Sequence, residues 1–216
     1  MPKAVSASVG LQQLMCTSKR SFPQRDIVAE LCVDSHSFSA VLQLDLEEHA
    51  DRQHRGLGAV DATGLLHALW TLPHGIGFPR SVIDPLDLRT LAEQGTPWVE
   101  DDCGSIRRRY RPIGTVDLVA VAHSSLSRAV SRVAEHPPSF RRLAIWLTDS
   151  SPIRTGTGHA FESAANRGIG IAAVGDWGCA LLLEPAARVT GRPAVYRWWL
   201  AEIAYRNWLR QTAPTG

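Results

Sequence analysis

The sequence predicts an α/β chain, α+β overall, with a mixed sheet flanked by helices. Three observations carry that prediction. Between residues 115 and 185, short and nearly unbroken apolar runs (116–121 and 143–148) alternate with helix-patterned stretches (124–136 and 157–167). Apolar runs of that length with helices between them are what strands covered on both faces require. Two further strands, 169–174 and 179–184, flank Gly175-Asp176-Trp177-Gly178, a tight-turn sequence.

Each element of this layer has a local reason. In 124–136, Leu126, Ala129, Val130 and Val133 fall on one helical stripe, with Arg128, Arg132 and Glu135 off it. Ser124 or Ser125 can cap its start, and Pro137-Pro138 stops it. Ala160, Phe161, Ala164 and Ala165 give the next helix its apolar face, and Gly168 stands where a C-terminal cap favours positive φ.

At 216 residues the chain can bury a sizeable core, as one large domain or two small ones. A hydrophobic share of 44% and a charged share of 20% are those of an ordinary globular protein. A net charge of +2 demands no anionic partner, so any basic patch must be local. Cys16, Cys32, Cys103 and Cys179 show neither CxxC pairing nor metal-ligand spacing, which suits a reduced, cytoplasmic setting. Residues 1–20 contain no signal-peptide core, and no apolar run reaches membrane-spanning length. Only Lys3 and Lys19 of the 23 basic residues are lysine.

In chain order, residues 1–20 read as a mobile lead-in. Residues 26–33 and 38–46 read as strands joined by Asp34-Ser35-His36-Ser37. Residues 47–58 read as an exposed charged loop, whose His49, Asp51 and His54 match no standard metal motif. Asp61 can cap a helix to about Trp70, and Pro73 to Pro79 is a loop in which GxG lacks the strand–helix setting of a phosphate cradle. Asp84-Pro85 opens another helix, with Asp87 near its positive end and Gly95 beyond it. A hairpin follows: 98–100, an Asp101-Asp102-Cys103-Gly104 turn, and 105–111. Two helices followed by a hairpin is the order of a winged-helix DNA-binding unit.

The hairpin's second arm carries Arg107, Arg109 and Arg111 on one strand face and Ile106, Arg108 and Tyr110 on the other. Arginines at period two can track phosphates, joined by Arg128, Arg132, Arg141 and Arg142 if these share a face. The alternative is a solvated strand paired with Glu100, Asp101 and Asp102. Residues 195–209 form a helix apolar nearly all round, with Trp198, Trp199 and Trp208 set to pack or to make a dimer or partner interface. Glu202 and Arg206 have i,i+4 spacing.

The lines VDLV (116–119), SSLSRAVSRVAEHPPSF, RRLAIWLTDSS and NRGIGIAAVGDWGCALLLEP resemble the second half of the PD-(D/E)XK nuclease-like superfamily. That family places an acidic strand before a helix, an apolar strand, a second helix and a strand. The resemblance implies a restriction-endonuclease-like C-terminal half, with Asp117 as a magnesium ligand and Asp101 or Asp102 as the first acidic residue. The family's lysine position is Val119, and no lysine follows residue 19. Arginine does not readily accept a proton, so the usual water activation is missing.

These readings divide the chain into residues 1–20, an α+β region 21–112 that is winged-helix-like, and a nuclease-like domain 113–216 ending in the Trp-rich helix. The leading expectation is a DNA-binding protein with a catalytically degenerate nuclease-like domain and no cofactor, touching nucleic acid through Arg107, Arg109, Arg111, Arg128 and Arg132. Two alternatives stand beside it. One is a Mg2+-dependent endonuclease using Asp102 and Asp117; the other is a scaffold that dimerises through Trp198, Trp199 and Trp208. No GxSxG, HExxH or Walker pattern offers another chemistry, and His123 and His159 have no assigned role.

Overall fold

The computed structural model describes residues 9, 11, 12, 14, 26–33, 36–149, 158–187 and 195–212. It is an α+β chain whose larger sheet has six strands and is mixed, as the pattern of apolar runs predicts. The chain divides into two compact units, Met1–Gln43 with Val116–Arg192, and Leu44–Thr115 with Pro193–Gly216.

The first, the sheet unit, contains β1 (Asp26–Val33), β2 (His36–Leu44), β6 (Gly114–His123), β7 (Arg141–Leu147), β8 (Ile169–Gly175) and β9 (Gly178–Leu183), in that spatial order. The β1–β2 and β8–β9 pairs are antiparallel, and β6–β7 and β7–β8 are parallel. The parallel pairs are those joined through helices, α4 (Leu126–Ala134) and α5 (Gly158–Asn166), because a parallel pair needs a long crossover. Leu118, Ala120, Leu143, Ile145, Ala172 and Val174 form a buried core with Val28 and Val41. Leu11 and Leu14, inside the expected mobile lead-in, are buried in that same core. The apolar stripe of α4 is buried as its spacing predicts. Gly168 has φ +63, and Gly175 lies so close to the Thr148 carbonyl that a Cβ there would stand 2.1 Å from the oxygen.

The second, the insert unit, contains α1 (Leu46–His54), α2 (Thr63–Thr71), β3 (Gly77–Pro79), a 3-10 turn (Arg80–Val82), α3 (Pro85–Gln94), β4 (Val99–Asp102), β5 (Ser105–Arg108) and α6 (Val195–Thr212). Its small sheet has the order β3-β5-β4. Asp84 caps α3 by accepting the Leu86 N–H at 2.8 Å, with proline at the first helical position. Leu65, Leu66, Leu69, Leu72, Leu91, Trp98, Tyr110 and Trp198 form the core. The Asp45 N–H donates to the Ile113 carbonyl at 2.8 Å, closing the entry and exit of the insertion on each other.

Further expectations change, and Asp101 and Asp102, expected in the hairpin turn, lie in β4. Strands β1 and β2 belong to the sheet unit, and the Trp-rich helix belongs to the insert unit, so a boundary near residue 112 does not divide the chain. Strand pairing and helix packing join segments far apart in sequence, which local pattern does not reveal. Residues 46–54 form a helix rather than an exposed loop, because Asp45 caps it through the Glu47 and Glu48 N–H groups and its Glu48 and Arg52 are buried. Asp61 caps no helix; Ala62 holds that position, and Asp61 instead accepts from Arg206 at 3.0 Å. His36 and Ser37 are strand residues, while Asp34 and Ser35 lie outside the described residues.

The close approach at Gly175 makes a test of the β8–β9 turn. Gly175→Ala is expected to lower the melting temperature of the full chain, at a cost of about 1–3 kcal/mol. Thermal denaturation followed by circular dichroism measures it.

Candidate functional site

The five arginines expected to meet phosphate divide into two classes. Arg107, Arg109 and Arg111 belong to the insert unit, and each faces a carboxylate. Arg107 and Arg109 lie 3.8 and 3.2 Å from Glu100, and Arg111 lies 3.1 Å from Glu47 and 3.6 Å from Asp45. Glu100 sits directly across the ladder from Arg107, so the row is neutralised by its own hairpin and by α1. The strand also ends at Arg108, three residues short of Arg111, where the sequence predicts its end.

Arg128 and Arg132 belong to the sheet unit and differ in kind. Both are exposed on the polar side of α4, four residues and therefore about 6 Å apart along the axis. Among the described residues neither is within ion-pair distance of a carboxylate. Ser127 and Ser131 are exposed beside them, one turn apart. The N-terminal end of α4 opens on a pocket of about 650 Å³ lined by Ser124, Ser125, Ser127, Trp146 and His159. It lies at the carboxyl ends of the parallel strands, where open α/β sheets receive ligands. Ser125 holds the N-cap position without a side-chain cap bond, and its N–H donates to His123 Nδ1 at 2.8 Å.

The expected acidic pair is not brought together in one unit. Asp102 is exposed in β4 of the insert unit, and Asp117 lies in β6 of the sheet unit. The carboxyl on which Asp117 acts is that of Asp26, at the start of β1. Burial first, and then the charge of Asp117, pushes the Asp26 carboxyl up to about 6, against the opposing pull of Arg141. Arg141 Nη1 stands 3.4 Å from Asp117 Oδ2. Among the described residues no group of three His, Cys, Asp or Glu side chains is placed to hold a metal ion. Sequence reasoning missed Asp26 because β2 separates its strand from β6; the signal available was an acidic residue opening an apolar strand.

The histidines are accounted for locally. His49 Nδ1 lies 2.9 Å from the Tyr205 hydroxyl, and burial with the nearby Arg52 charge lowers its pKa. His159 is exposed beside Glu162 at 3.7 Å, and His54 is exposed.

The Trp-rich helix α6 holds the chemistry of the insert unit's interior rather than an open face. Trp198 is buried against Trp70 at 5.8 Å between ring centroids, while Trp199 and Trp208 are half-buried. Glu202 does not pair with Arg206. It faces the buried Arg52, with Arg52 Nη1 and Nη2 donating to its two oxygens at 2.7 and 2.9 Å. Arg52 Nε donates to Glu48 at 2.8 Å. Burial alone would lower the Arg52 pKa, but Glu202 and Glu48 outweigh it and hold the guanidinium charged.

No protein-family model, curated protein or solved structure matches this chain. Among the described residues no helix is long and apolar enough to cross a membrane.

Two outcomes follow from these charges. Arg52→Met is expected to destabilise the chain by about 3–5 kcal/mol in denaturant unfolding, because two buried carboxylates lose their cation. Adding Glu48→Gln and Glu202→Gln, which remove the charges but keep acceptors for the Arg111, Val60 and Trp198 donors, is expected to recover part of that loss. Asp26 binds its proton more tightly in the folded chain than its ordinary value of 3.8 allows, so it costs stability as pH rises from about 4 through about 6. Asp26→Asn is therefore expected to raise the melting temperature at pH 7–8 and to leave it unchanged below about pH 4.

Proposed function

We propose that this chain is a nucleic-acid-associated protein whose sheet unit keeps a nuclease-like order of elements without a working cleavage site. On this reading α4 is the face that meets phosphate. The observation that carries it is the exposed pair Arg128 and Arg132, one turn apart and free of carboxylate partners among the described residues. Guanidinium forks that are not already neutralised are the groups able to displace counterions from a phosphate backbone. The adjoining hydroxyls of Ser127 and Ser131 add short donors on the same helix face.

The order acidic strand, helix, strand, helix, strand (β6, α4, β7, α5, β8) supports the nuclease-like reading. Two features speak against cleavage. Val119 stands at the position of the family's lysine, and Arg141 takes up the Asp117 carboxylate. In the insert unit, the order α2, β3, 3-10 turn, α3, β4, β5 with strands arranged β3-β5-β4 supports a winged-helix-like reading. The start of its α3 and the hairpin tip bear Asp84, Asp87 and Asp102 without an arginine among the described residues, and this negative charge disfavours phosphate there.

Fluorescence anisotropy with labelled duplex and single-stranded DNA and RNA tests the reading. Affinity is expected to fall linearly with salt on logarithmic axes. Arg128→Ala/Arg132→Ala is expected to weaken binding and to flatten the slope by roughly 0.9 for each lost phosphate contact. Arg107→Ala/Arg109→Ala is expected to change little. Absence of salt-dependent binding to any nucleic acid removes the proposal. Mg2+-dependent cleavage lost in Asp117→Asn replaces it with the nuclease reading.

A further inference from the structure

The three most exposed large apolar side chains among the described residues fall within one stretch of the insert unit: Leu86 (70% exposed), Ile76 (63%) and Val82 (60%). They lie on the approach to β3, in the 3-10 turn after it, and in the first turn of α3. Single exposed apolar residues are ordinary, but a local concentration of the largest marks a contact surface.

The charges around them are mostly negative, although Arg107 stands across the ladder from Gly77. From residue 76 to residue 104 there are six carboxylates, Asp84, Asp87, Glu93, Glu100, Asp101 and Asp102, against Arg80 and Arg89 alone. Both of these arginines are already committed. Arg80 pairs with Asp101, and Arg89 lies 2.9 Å from Glu93. Glu100 is taken by Arg107 and Arg109. Among the described residues that leaves Asp84, Asp87 and Asp102 without an arginine, the first two on either side of the exposed Leu86. Asp84 caps α3 from an exposed position, and the half-buried Asp87 lies 3.4 Å from the exposed His67.

A surface of this kind repels phosphate and attracts cations, while its apolar residues need burial to contribute. We infer that the stretch from Ile76 to Asp87 is a docking face for a basic, leucine-bearing amphipathic segment of a partner protein. Apolar side chains of the guest cover Val82 and Leu86, and its arginines or lysines meet Asp84 and Asp87. Charge complementarity selects this occupant over an acidic segment or a nucleic acid. The inference is independent of the proposed phosphate contact on α4, which lies in the other unit.

The test uses the full chain and two labelled synthetic helical peptides, one built from leucine and arginine at helical spacing and one with glutamate in place of arginine. The arginine peptide is expected to bind, more weakly as salt rises, and to protect residues 76–87 in amide hydrogen exchange. Val82→Ser/Leu86→Ser is expected to weaken it by about tenfold or more, and Asp87→Asn, which keeps the volume, by a smaller factor, with only a small drop in melting temperature from the lost charge at the start of α3. The inference is overturned if the glutamate peptide binds equally well, if protection falls outside residues 76–87, or if both variants bind as the parent chain does. It is also overturned if the chain self-associates and Leu86→Ser dissolves the dimer, since the patch then belongs to a second copy.

Discussion

A guanidinium with no water around it holds the insert unit together. Removing a charge from water costs several kcal/mol per ion after relaxation, so Arg52 is tolerable only if nearly every donor finds an acceptor. It does: Glu48, both oxygens of Glu202, and the carbonyls of Arg111 and Gly58 receive its N–H groups. The carboxylates are completed in turn. Glu202 also accepts from the Val60 N–H and the Trp198 indole, and Glu48 accepts from the Arg111 N–H. The Arg52 guanidinium lies 4.9 Å over the Trp98 ring. One side chain thus ties α1, the loop before α2, the segment after β5, and α6. That is why a helix arriving more than 140 residues after α1 completes the same core.

Glu48, Arg52 and Glu202 sum to one negative charge, and Arg108 supplies the balancing positive one. Its guanidinium donates to the Leu69 carbonyl at 3.0 Å, lies 5.2 Å over Trp198, and feels the field of Glu48. Burial lowers its pKa because no carboxylate bonds to it directly. The arginines nearest the insert unit's interior are therefore structural, and those on its hairpin surface are paired. The contrast with α4 is physical: a strand face opposite an acidic strand is neutralised by its neighbour, whereas an outward helix face with serines at the next positions has no such neighbour.

Local pattern made most of the elements legible. The apolar stripe of α4, the Asp84-Pro85 start of α3, and the runs that became β6, β7 and β8 each carry their cause within a few residues. Helix α1 was illegible for a stated reason. Its composition, LEEHADRQH, is that of a solvated segment, and only partners far along the chain make it sensible to bury Glu48 and Arg52. The candidate site was legible in residue type but not in selection. Five arginines looked equivalent until the positions of Glu100, Glu47 and Asp45 separated three of them from Arg128 and Arg132.

The sequence by itself determined where most segments, α1 apart, curl or extend, that Val119 rather than lysine follows Asp117 by two residues, and that the sheet would be mixed. Those depend on side-chain volume, periodicity and identity, which are local. Only the tertiary structure decided that the strands of the first 44 residues join the later sheet, that Arg141 lies against Asp117, and that Glu202 turns from Arg206 to Arg52. Each of these is a choice between partners at similar chemical advantage, and desolvation geometry, which no linear pattern encodes, makes the choice.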